Sequence, residues 1–160
     1  MKINTLQEAK QAAFNGSVKG LNSQDWERCS SKSRGCVWNK GKPGLHCAVG
    51  WLIPWKDQKN RQSGSSVDAI GLYTGQSVLA LPLSEWVEDR RKQGRKWREE
   101  VLLPYEQSAA KAALKEFNDF SEFIYQCQTI HDGADGISMK LGFLRLADKH
   151  NLKWPESVPK

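Results

Sequence analysis

Several things are scarce or missing in this 160-residue chain, and each absence narrows the reading. No run approaches the ~18 consecutive apolar residues that a membrane helix needs. The start, MKINTLQEAK, has an early lysine but no apolar core, so a secretory leader is not expected. There are four cysteines, Cys29, Cys36, Cys47 and Cys127, and no C-x2-C knuckle. Without export, free thiols in a reducing cytoplasm are the expectation, not disulfides. No helix-turn-helix, RRM, KH or P-loop pattern is present. Internal repeats and low-complexity tracts are also missing.

Hydrophobic residues make up 39% of the chain, which is low, but seven tryptophans offset this because each ring buries a large area. A chain of this length buries about two thirds of its unfolded surface, enough to fold without a disulfide or metal. One domain over 1–160 is expected, with a flexible loop at 56–66.

The net charge of +6 is uneven. Between Arg28 and Arg61 stand eight basic residues and one acid, Asp57, and the rest of the chain is close to neutral. A local positive field attracts phosphates, nucleic acid or an acidic protein surface. The plainer reading is a solvated face.

Thr5-Leu6-Gln7-Glu8 reads as a capping box, followed by Leu6, Ala9, Ala13 and Phe14 at helical spacing. Asn15-Gly16 is expected to stop that helix. Residues 36–53 read as a hairpin, or as a strand, a turn and a short helix ended by Pro54; the second is preferred. Residues 106–131 are the clearest helix. Ala113, Phe117, Phe120, Ile124, Cys127 and His131 recur at intervals of four and three, which places them on one face. Gly133 and Gly136 end it. Ser138 is expected to cap a last helix carrying Leu141, Leu144 and Ala147, with Trp154-Pro155 lying across the body. The expected class is α+β: a mostly helical single domain with a small β-hairpin or strand pair near 36–47.

Candidate chemistry gathers around Cys47. A helix beginning near it would lower the thiol pKa, and a histidine, His131 or His150, would complete a nucleophilic set, with Asp132 or Asp135 to orient His131. The alternative is that Cys47 is a small buried hydrophobe and His131 a hydrogen-bonded core residue. Cys29, Cys36, His46 and Cys47 are soft ligands, but their spacing fits zinc loosely, so no metal is assigned. Asp132 and Asp135 are spaced like calcium ligands, without the distant Glu of an EF-hand. No cofactor is expected. Arg34, Trp38, Lys40, Lys42, Trp55, Lys56 and Lys59 interleave positive charge with aromatic rings, a mixture suited to an anionic partner or to single-stranded nucleic acid.

Taken together, GL-x-x-Q-x-W-x-R near residue 20, then C-V-W-N, then G-L-H-C-A-V-G-W-L-I-P, and later Gln128-Thr129-Ile130-His131-Asp132, resemble a set of small uncharacterised phage, prophage and proteobacterial proteins. Those carry C-x-Y-R, G-L-K-C-A-V-G-x-L-I-P and Q-x-x-H-D. Here the arginine of the first motif is absent, and His46 stands where the lysine is usual. The resemblance covers the first and last thirds and supplies no activity. It implies a mobile-element origin and a protein that binds a host target, such as a defence factor, in the host cytoplasm.

Overall fold

In the computed structural model the described residues are 5–31, 35–36, 45–52 and 104–160. Three helices carry them: α1 (Leu6–Ser23), α2 (Pro104–Gly133) and α3 (Gly136–His150). The expected loop at 56–66 lies outside the described residues.

The start of α1 follows from its first four residues. Glu8 N–H donates to Thr5 Oγ1 at 3.2 Å, and Thr5 N–H donates to Glu8 Oε2 at 3.0 Å, so two amides with no helical partner are satisfied reciprocally. The helix does not stop at Asn15-Gly16; it runs on to Ser23. The reason is packing. A Cβ at Gly16 would sit 2.7 Å from Leu52 Cδ2, and one at Gly20 would overlap the Trp51 ring. Two glycines four apart form a slot on α1 that receives residues 51–52, and the packing there outweighs the helix cost of about 1 kcal/mol per glycine.

α1 ends in an unusual turn. Asp25 and Trp26 are both left-handed, at φ 53° and 58°. For a residue as bulky as tryptophan this costs about 1–2 kcal/mol. Burial offsets it: the Trp26 ring is stacked on Trp154 at 6.1 Å and tilted against Phe143 at 6.1 Å. Phe14 meets the same Trp154 edge-on at 5.9 Å, so the tail crosses the body as expected. Gln11 pins it further, donating to Lys153 O and accepting from Lys153 N–H, each at 2.8 Å.

The expected stripe of α2 is buried where described: Phe120, Ile124, Cys127 and His131 have no exposed surface. Ala113 and Phe117 lie outside the described side chains. α3 begins at Gly136, with Asp135 at its N-cap and no side-chain cap bond, so Ser138 is inside the helix and does not start it. Gly136 N–H instead donates to Trp26 O at 3.0 Å. The inward face of α3 is Met139, Phe143, Leu146 and Ala147, whereas Leu141 is 47% exposed. Asn151 closes the helix in the left-handed conformation.

The expected α+β class is corrected by these elements: the described residues make a helical domain. Their two strands are two residues long each, Ser30–Ser31 against Gly35–Cys36, and they build no layer. Cys36 pairs with Ser30. No β-hairpin is seen among the described residues, and the helix preferred in 45–52 is a single 3-10 turn, Gly50–Leu52. Side chains satisfy this backbone where a strand neighbour otherwise would. Gln24 accepts from His46 N–H at 3.0 Å and donates to His46 O at 2.9 Å. Ser17 donates to Ala48 O at 2.9 Å, and Gln128 accepts from Val49 N–H at 3.3 Å.

Candidate functional site

The end of α2 and the start of the 45–52 segment meet at one buried junction. His131 is fully buried there. Its Nε2 accepts from Cys29 N–H at 3.1 Å. An accepting Nε2 places the ring proton on Nδ1, which then donates to Asp132 Oδ1 at 2.9 Å. Gln128 Nε2 donates to the same Asp132 oxygen at 2.5 Å. Arg28 donates to Asp132 O at 2.9 Å, tying the turn after α1 to the last turn of α2.

Two thiols border this network. Cys29 Sγ donates to Leu45 O at 3.3 Å. Cys47 is fully buried, and its Sγ accepts from Gly50 N–H at 3.2 Å. Burial pushes the Cys47 thiol far above the ordinary range; Cys29 and Asp132 push it the same way, against the Gly50 bond. Cys127, buried in the core, is raised likewise by desolvation. A nucleophilic cysteine needs the opposite shift and some access.

The structure therefore brings Cys47, His131 and Asp132 to one junction but employs them there. The histidine's accepting nitrogen is taken by a backbone amide, and the thiol is held neutral. What the arrangement does chemically is hold together three segments distant in sequence. No helix N-terminus activates Cys47, because the turn after it is a single 3-10 turn.

Gln24 enters the sequence reading only as the glutamine of GL-x-x-Q-x-W-x-R, with no role assigned to it. Besides its two bonds to His46, it accepts from Trp51 Nε1 at 2.7 Å and donates to Glu27 O at 2.6 Å. That motif is the signal that marks it out, but it does not say what the side chain bonds. His46 lies edge-on to Trp51 at 4.5 Å. Among the described residues no group of three or more His, Cys, Asp or Glu is arranged to hold a metal ion. None of their helices is long and apolar enough to cross a membrane. Arg34, Trp38, Lys40, Lys42, Trp55, Lys56 and Lys59 lie outside the described residues.

No protein-family model, curated protein or solved structure matches the chain.

Proposed function

We propose that the protein is a binding protein of the phage and mobile-element accessory type, which engages an acidic host protein or another anionic target through its basic segment 28–61. The observation that carries this reading is the segregation of charge: eight cations and one acid in that segment, in a chain otherwise close to neutral. The buried junction supports it by what it removes. The groups that would have made a cysteine hydrolase are engaged in internal hydrogen bonds, so the reading rests on recognition and not on turnover. The resemblance to small phage and prophage proteins supplies a setting, the host cytoplasm, and no mechanism.

The test begins with the chain purified gently from a bacterial host and weighed intact by native mass spectrometry, which identifies any co-purified protein or ligand. Reversal of Lys40, Lys42, Lys56 and Lys59 to Glu is expected to weaken binding of that species at least about tenfold, with helical content and melting temperature unchanged. Equal affinity of the reversed chain would remove the basic segment from the interface. If the bound species is single-stranded nucleic acid, affinity falls steeply with salt in proportion to the phosphates neutralised.

A further inference from the structure

The outer side of the α2–α3 pair carries apolar surface that the core does not use. The inward stripe of α3 is Met139, Phe143, Leu146 and Ala147. Ile137 and Leu141, one turn apart, fall off it and are 78% and 47% exposed. On α2, Tyr125 is 70% exposed. Between the two helices runs an open groove of about 470 Å³. Its floor is Ile130 and Gly142, packed so closely that a Cβ at Gly142 would come 2.6 Å from Ile130 Cγ2.

The rims of this groove are opposite in charge. The α2 rim carries Glu122. The α3 rim carries Arg145 and Lys149. Glu122 accepts a bond from Gln126 at 3.1 Å, and Lys149 reaches Gln126 Oε1 at 3.5 Å. A partner of one sign would be attracted by one rim and repelled by the other. The surface that complements both rims is the groove itself turned through a two-fold axis, which lays α2 of one copy over α3 of the next.

We propose that the α2–α3 groove is a self-association surface whose occupant is the same groove of a second copy, apolar at Tyr125 and Ile130 and flanked by two Glu122–Arg145 pairs. Two antiparallel helix pairs facing in this way form a four-helix packing. The apolar patch is small, so the association belongs to the weak, transient class, with Kd on the order of tens of micromolar.

The experiment is sedimentation velocity on the full chain over about 1–200 µM, a range that brackets such an affinity. The wild type is expected to shift from monomer to dimer. E122R and R145E, both at positions outside the core, should each weaken the dimer about tenfold, because each places like charges together at both symmetric contacts. An equimolar mixture of the two variants should recover wild-type affinity, since E122R chains complement R145E chains and not themselves. That recovery distinguishes an interface from any effect within one chain. A wild type that stays monomeric throughout overturns the proposal. So does a dimer indifferent to both substitutions, or a mixture no tighter than either variant alone.

Discussion

The two sides of α2 use their residues in opposite ways. On the inner side, polar groups are buried and engaged: His131 bridges Cys29 and Asp132, and Gln128 bridges Asp132 and Val49. On the outer side, apolar groups lie in water: Tyr125 is 70% exposed and faces a groove instead of a core. A buried polar network is costly when broken, because each orphaned group keeps its desolvation penalty. An exposed apolar ring costs little to remove from a monomer. Polarity therefore misleads about which residues hold this fold together, and burial with partners identifies them.

The widest separation between the two sides should come from His131→Ala. It leaves Cys29 N–H without its acceptor, removes a partner of Asp132 and opens a cavity where the ring was. A loss of about 3 kcal/mol is expected in urea unfolding. The same change should speed the alkylation by iodoacetamide of Cys29 and Cys47, both buried in the folded wild type. Tyr125→Ala, six residues earlier on the exposed side, should stay within about 0.5 kcal/mol of wild type. Similar losses from the two substitutions would break the comparison.

What was legible in the sequence was local. The capping box and the four-three spacing of α2 are patterns in consecutive residues, and both elements start or face as read. The end of α1 was not legible, because Asn15-Gly16 looks like a stop until Leu52 and Trp51 are known to need the space. Residues 45–52 were misread for a related reason. Their backbone partners are Gln24, Ser17 and Gln128, side chains whose sequence neighbourhoods say nothing of strand replacement. Leu141 fits a helical apolar pattern equally well, yet the α3 stripe that meets the core passes it by. Of the candidate site, the meeting of His131 and Asp132 with the Cys47 segment was anticipated from the end of α2. The occupation of His131 Nε2 by Cys29 was not, since it depends on a turn about a hundred residues away in the chain.

Gly20→Ala sharpens the glycine part of this argument. In an exposed helix the change stabilises by up to about 1 kcal/mol. Here the added methyl overlaps the Trp51 ring, and displacing it strains the Gln24 bond to Trp51 Nε1. A net loss of about 2 kcal/mol is expected. Gly133→Ala is the matched control, at the last position of α2 with nothing within 4 Å of the added atom. It should be neutral or slightly stabilising in thermal melts. A Gly20→Ala chain as stable as wild type would mean that residues 51–52 are not held in the slot.

The smallest effect lies where the two sides meet, at His150. Its Nε2 is 2.8 Å from Gln126 Oε1, and its ring stands edge-on to Phe123 at 5.0 Å. Burial, then the positive charges of Lys10 and Lys149, lowers its pKa, while Glu122 acts against them. A histidine whose folded pKa lies below its unfolded value of about 6.5 binds fewer protons in the folded state over that interval. Its share of stability is thus fully present above the unfolded value and is lost as the pH falls through the folded one. Melting temperature should decline as the pH drops below that of free histidine, and His150→Gln should flatten the decline while changing little at pH 8. Because Lys10 reaches this ring from α1 and Glu122 from the outer rim of α2, adding salt should shrink the charge part of the effect and leave the burial part. A slope unchanged in His150→Gln would assign the acid sensitivity to another group and leave this corner of the molecule electrostatically silent.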